Sequence, residues 1–276
     1  MHILFLKWDD EYINTLKDFD KEIILLVDNY DIGIHEEKIK QNPIVYRVES
    51  TSNLQQIISA SVAIKLKFDK KVSHVISFTD YSQYASALIA SILGLSYPNL
   101  DLIIKTRDKR LIKYSISALG INTANFLSIP RPIDADAIRQ FIKEIGFPII
   151  VKPVDSTGAQ GVKLIKNLTQ LEEWEKQIIS DSLKSMNYHF MAEQYIEGDE
   201  YHVDIVWYEG NPLYTFVGKN FVPLLDTVGN KLPNASIQLD YNSNKNLYDN
   251  LVSITVNSLK ILGINCGFYS GTSMTE

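Results

Sequence analysis

The sequence predicts an α/β fold built in two successive parts, and three observations carry that expectation. Apolar runs of strand length alternate with helical stretches through the first hundred residues, the order that produces a parallel sheet covered by helices. Between 147 and 162 a buried strand, a polar glycine loop and the start of a second strand follow one another. From 189 to 218 the pattern reads as paired strands, with Tyr201, Val203 and Ile205 alternating along one of them.

The elements follow in order. Strands are expected at 3–7, 22–27, 44–48 and 72–78, separated by helices near 10–18, 53–68 and 82–93. The segment 94–101, with Tyr97-Pro98-Asn99, reads as a linker. A helix at 107–118 stops at Gly120, and a strand at 123–128, a proline-punctuated loop at 129–133 and a helix at 134–145 follow. After the glycine loop come a helix near 168–180, the paired strands and a long loop at 221–242. Such a loop is expected either to cover a substrate or to be a surface excursion. A helix near 245–262 carries Leu247, Leu251, Ile254, Leu259 and Leu262 as one apolar stripe, and strand-like residues run from 266 to the end.

Phe147-Pro148-Ile149-Ile150-Val151-Lys152-Pro153 and the following Val154-Asp155-Ser156-Thr157-Gly158-Ala159-Gln160-Gly161-Val162 carry the chemistry. A lysine held by a rigid strand supplies a fixed positive charge. A loop of Ser156, Thr157, Gly158 and Gly161 lets backbone N–H groups approach an anion, so phosphate is the expected guest, against a plain hairpin with a solvated lysine. No GxxxxGK[ST] or GxGxxG occurs. Further on, Phe190-Met191-Ala192-Glu193-Gln194-Tyr195-Ile196-Glu197-Gly198-Asp199-Glu200 is an apolar strand entering an acidic turn. Its edge can offer backbone groups to a base and Glu200 can accept from sugar hydroxyls; an ordinary hairpin with solvated acids is the other reading.

Together with Lys109 in Thr106-Arg107-Asp108-Lys109 and the closing segment 263–276, these motifs resemble the ATP-grasp superfamily, most of all its carboxylate–amine (amino-acid) ligases. The resemblance covers about 101–276, and residues 1–100 are similar to the preceding domain of those enzymes. It implies an N-terminal parallel α/β domain (1–100), a small α+β subdomain with the phosphate loop (101–192) and a large one (193–276), the two subdomains clamping ATP. It implies that Lys109 and Lys152 contact phosphates and that Ser156, Thr157, Gly158 and Gly161 lie in the loop over the β- and γ-phosphates. Glu193, Tyr195 and Ile196 would form the adenine pocket, Glu200 would accept the ribose, Lys219 would be a third phosphate contact and Glu276 the first magnesium carboxylate. Cofactors would be ATP and Mg2+, and the reaction would join a carboxylate to an amine through an acyl phosphate. No side chain is assigned a covalent role. The family pattern continues beyond Glu276 with a Glu-x-Asn segment, so the chain reads as C-terminally truncated or completed by a second chain, with negligible turnover of its own. An ATP-binding regulatory module and an ATP-dependent carboxylase remain the alternatives.

Composition limits the partners. Net charge −6 and a pI near 5.4 disfavour nucleic acid, which needs a basic face. One cysteine, Cys266, excludes an internal disulfide and a cysteine-based zinc cluster. The five histidines lack metal-binding spacing and read as structural or exposed, and no GxSxG is present. The N-terminus reads as a first strand rather than a leader, and no apolar run reaches the roughly 18 residues of a membrane span, so a cytoplasmic location is expected. Small-molecule carboxylate and amine substrates are the expected partners, with homodimerisation left open.

Overall fold

The computed structural model describes residues 1–17, 21–129, 133–181, 189–230 and 232–275. They fall into two compact units, Met1–Ile104 and Lys105–Glu276.

In the first unit, β1 (His2–Leu6), β2 (Glu22–Val27), β3 (Val45–Arg47) and β4 (Val72–Ile76) form a parallel sheet in the order β3-β2-β1-β4. The helices are α1 (Asp10–Lys17), α2 (Asn29–Ile39), α3 (Leu54–Phe68), α4 (Gln83–Leu93) and α5 (Leu100–Arg107). Both faces of the sheet are covered. Ile3, Phe5, Leu25 and Val27 pack with Ile13 and Ile39 on one side, and Leu4, Leu6, Ile24 and Leu26 pack with Ile57, Ile64 and Ile89 on the other. Double coverage is why these strands read as unbroken apolar runs.

Two features differ from expectation. α2 gave no sequence signal, because Gly33 and the non-helical His35 interrupt it and most of its surface is solvated. A capping box starts it instead: Asp28 accepts from the Tyr30 and Asp31 N–H groups, and Asp31 accepts from the Asp28 N–H. Lys7, buried at the end of β1, ties both carboxylates down at 2.6 and 3.0 Å. The second difference is α5, which begins at Leu100 inside the expected linker and carries the unit boundary at Ile104.

The second unit holds two four-stranded antiparallel sheets. β5 (Phe126–Ile129), β6 (Ile149–Pro153), β7 (Lys163–Ile165) and β8 (Phe190–Gln194) take the order β5-β8-β6-β7. With them go α6 (Lys109–Ser117), α7 (Ala135–Ile145) and α8 (Leu168–Asp181). Ile138, Phe141 and Ile142 of α7 and Leu171 and Trp174 of α8 pack on Ile149, Val151, Phe190 and Ala192. The strand period then puts Ile150, Lys152, Met191 and Glu193 on the opposite face. Residues 130–132 of the expected 129–133 loop lie outside the described residues.

The larger sheet, β9 (Asp199–Tyr208), β10 (Asn211–Asn220), β11 (Ser236–Gln238) and β12 (Gly267–Thr275), takes the order β11-β10-β9-β12. α9 (Leu224–Asn230) and β11 occupy the stretch expected to be a long loop at 221–242. A seven-residue helix and a three-residue, fully exposed edge strand are too short to carry a hydrophobic period. α10 (Lys245–Ile261) buries Leu251, Thr255 and Leu259 at i, i+4, i+8, with Leu247 and Ile254 half-buried at the margins. It lies on the face carrying Tyr201, Val203, Ile205 and Trp207, where Tyr248 donates to the Thr215 carbonyl and Thr255 sits beneath Gly271. Among the described residues, no helix is long and apolar enough to cross a membrane.

Candidate functional site

The described face of the smaller sheet gathers charge. Lys152 on β6 and Glu193 on β8 are diagonal neighbours across the ladder, and their side chains form an ion pair between Lys152 Nζ and Glu193 Oε1. α6 adds a third member: Lys113 Nζ lies 3.1 Å from Glu193 Oε2. All three side chains are largely buried, 17% exposed for Lys152, 18% for Lys113 and 11% for Glu193. Burial alone would raise the Glu193 carboxyl, but the Lys152 and Lys113 charges outweigh it and hold the group below the usual carboxylate range. Lys152 is lowered, by burial first, with the Lys113 charge acting the same way against the attraction of Glu193. One carboxylate is thus shared by two ammonium groups, and Glu200 also favours the charge on Lys152.

α6 is placed by its own start. Asp108 caps it, accepting from the Arg110 N–H, and the Arg110 guanidinium grips the same carboxylate at 2.6 Å. Burial works against the Asp108 carboxylate, yet its hydrogen bonds to Arg110 hold it below the ordinary range. Lys109, the first residue of the helix, donates from Nζ to the Ser156 carbonyl at 2.5 Å, while its backbone N–H donates to Val154 at 2.9 Å. Arg107 donates to the Asp155 carbonyl at 2.6 Å. The entry to the glycine loop is therefore held by cationic side chains from the 107–109 corner.

Within the loop, the Gln160 N–H donates to Thr157 and the Val162 N–H to Ala159. Gly161 has φ +74°, and a Cβ there would stand 2.8 Å from the Pro153 ring, so the loop returns over Pro153 only with glycine at that point. Lys109, Lys152, Ser156, Thr157, Gly158 and Gly161 thus belong to one neighbourhood built from α6, β6 and the loop after it. Tyr195 and Ile196 follow β8 directly, and the Tyr195 N–H points at the Pro148 carbonyl at 3.4 Å.

Glu200 is buried at the start of β9, where its Oε2 accepts from the Leu224 N–H at 2.6 Å and so receives the N-terminus of α9. Lys219 is not brought to the same place. It pairs opposite Tyr201, and its side chain reaches Asp199 at 2.5 Å, so it lies on the other face of the sheet from Glu200. The Asp199 hydrogen bond raises its pKa. Glu276 lies outside the described residues. Among those described, no group of three or more His, Cys, Asp or Glu could hold a metal ion.

Lys113 escaped the sequence reading although a signal existed: it stands four residues after Lys109, on the same side of one helix. His202, expected to be structural or exposed, is half-buried with Nδ1 3.2 Å from Asp204 and Nε2 3.1 Å from the Ser236 hydroxyl. Its ring crosses β10 at Gly218, where a Cβ would meet Nε2 at 2.2 Å.

Residues 145–260, which contain β6, the glycine loop, β8 and Glu200, match the model of the ATP-grasp domain. Over those residues the chain is similar to the ATP-grasp domain. It is 28% identical over 186 residues to the L-arginine-specific L-amino acid ligase of Bacillus subtilis, a match covering 66% of this chain and 43% of that relative. Among solved structures, the L-amino acid ligase of Bacillus licheniformis superposes with a TM-score of 0.71 at 15% identity, covering 100% of this chain and 63% of the other. D-alanine–D-alanine ligase of Bacillus anthracis complexed with ATP gives 0.66 at 16% identity, covering 100% and 82%. The architecture is that of ATP-grasp ligases, a parallel α/β unit followed by two antiparallel sheets. The chain spans less than half the length of the Bacillus subtilis relative.

Proposed function

We propose that the protein belongs to an ATP-dependent ligase that joins a carboxylate, an amino acid in the first instance, to an amine through an acyl phosphate. The observation that supports this most is the largely buried Lys152 on β6, just before the glycine loop, within residues 145–260 that match the ATP-grasp domain. In this reading Lys109 and Lys152 take the phosphates of ATP, and Ser156, Thr157, Gly158 and Gly161 close over them. Glu193 with the backbone of Tyr195 and Ile196 receives the adenine, and Glu200 uses its second oxygen for the ribose. The subdomains divide at 192/193, after a first domain ending near 100. Magnesium accompanies ATP, and Glu276 is the residue proposed to meet it; the location proposed is cytoplasmic, and Lys219 is kept as the least central contact.

The chemistry is a balanced pair of displacements. A carboxylate oxygen attacks the γ-phosphorus, the bond to the β–γ bridging oxygen breaks, and ADP leaves. The amine nitrogen then attacks the acyl carbon, inorganic phosphate departs with the C–O bond pair, and a proton is released from nitrogen. The protein contributes positioning and positive charge where negative charge moves, which requires no covalent nucleophile.

Lys152→Ala and Lys109→Ala should each weaken ATP binding tenfold or more without unfolding the protein, since a charge-assisted contact is worth about 1.5–3 kcal/mol. Isothermal titration checks this; unchanged affinity in both variants rejects the phosphate assignment. ADP release that depends on both an acid and an amine supports the ligase. Release with bicarbonate alone would favour a carboxylase, and ATP binding without any release a nucleotide-binding module.

The loop supplies a further prediction. Amide exchange across 155–162 should slow when a nonhydrolysable ATP analogue is added, because its glycines leave it free to open. Equal exchange with and without the analogue would mean an ordinary turn.

A further inference from the structure

We propose that Lys113 is a positioning residue that keeps the Glu193 carboxylate neutralised so that Lys152 can turn from Glu193 to an incoming phosphate. The inference rests on the nucleotide-binding reading above and adds to it a residue with no phosphate contact of its own.

The two lysines meet different oxygens of one carboxylate, Lys152 on Oε1 and Lys113 on Oε2. They also come from different elements, Lys152 from β6 and Lys113 from α6. Either can therefore move without displacing the other. Were Glu193 paired with Lys152 alone, a move of Lys152 toward an anion would strand a buried carboxylate, and that penalty would subtract from binding. With Lys113 in place the carboxylate stays paired while Lys152 is shared or released. Burial already makes the positive charge costly on Lys152, and Lys113 adds to that cost while Glu193 and Glu200 oppose it. An anion arriving at Lys152 relieves the cost. The α6 start supplies the rigidity, since Asp108 and Arg110 lock the first turn.

The test uses three probes: ATP, tripolyphosphate as anion without base, and adenosine as base without anion. Each is titrated into the wild-type protein, Lys113→Met, Lys113→Arg, Glu193→Gln and the Lys113→Met/Glu193→Gln double variant. Lys113→Met is expected to weaken ATP and tripolyphosphate binding at least tenfold and adenosine binding less than twofold. Lys113→Arg is expected to restore the anion affinity to within threefold of wild type. In the Glu193→Gln background there is no carboxylate to neutralise, so adding Lys113→Met should change tripolyphosphate affinity less than threefold. An equal tenfold loss in both backgrounds would make Lys113 a direct phosphate ligand and overturn the proposal, as would full anion affinity in Lys113→Met. If the wild-type protein binds neither ATP nor tripolyphosphate, the nucleotide reading itself falls, an outcome distinct from either.

Discussion

Glu193→Ala is expected to lower the stability of the unit containing it by about 3–5 kcal/mol, the scale for removing one partner of a buried ion pair. The loss is large because one carboxylate serves two ammonium groups: after truncation, Lys113 and Lys152 lose the counter-charge they share and lack full access to water. The variant carries its own pH signature. Glu193 is held below the ordinary carboxylate range, so its stabilisation is complete above that range and is lost as pH falls through the depressed value. The gap between wild type and variant should therefore close in acid. It should also narrow in alkali. Lys152 already lies below the ordinary lysine range, so its ionisation makes stability rise with pH between its folded and unfolded values. Removing Glu193 deepens that depression, and the variant then gains more than wild type as pH rises. Urea melts at acid, neutral and alkaline pH read the difference directly; a constant gap would show that the trio is not the source of the loss.

What the sequence disclosed and what it hid divide along physical lines. Strands buried on both faces were legible as apolar runs, and the β6–loop–β7 unit was legible because glycine, proline and a strand-borne lysine each have few other uses. Elements stabilised by local capping were not. α2 is held by the Asp28–Asp31 box with Lys7, and α9 receives Glu200 at its N-terminus; neither offers an apolar period to read. The site shows the same division. Lys152 was named from its strand and loop, and Lys109 and Glu193 from the family resemblance, whereas the engagement of Glu193 by Lys113 depends on α6 lying over the sheet, a tertiary fact that no local window contains. Lys219 was named from the family resemblance, which says nothing of the register, and the register turns it to the face opposite Glu200.

Trp207→Ala is expected to cost about 3–5 kcal/mol, the range for truncating a large buried aromatic. Trp207 is 1% exposed at the end of β9, between β10 and β12, with Pro212 and Gly267 as its cross-strand partners. Glycine at 267 leaves the space above the ladder to the indole's neighbours, and a Cβ there would press within 2.9 Å of the Tyr269 ring. The indole N–H donates to the Ile264 carbonyl at 2.9 Å, pinning the turn that joins α10 to β12. Alanine therefore opens a cavity and strands that carbonyl together. Trp207→Phe separates the two effects: it keeps most of the apolar volume and should cost about 1–3 kcal/mol, the penalty for an unsatisfied buried acceptor. Glu200 stands at the other end of β9, seven residues away and anchored by Leu224, so ATP affinity well below the unfolding transition should be unchanged in both variants. Urea unfolding followed by far-UV circular dichroism gives the stabilities, and titration of the folded variants gives the affinity. A loss under about 1.5 kcal/mol in Trp207→Ala would mean the surrounding strands collapse into the space, and that β9 does not depend on the indole to hold the sheet together.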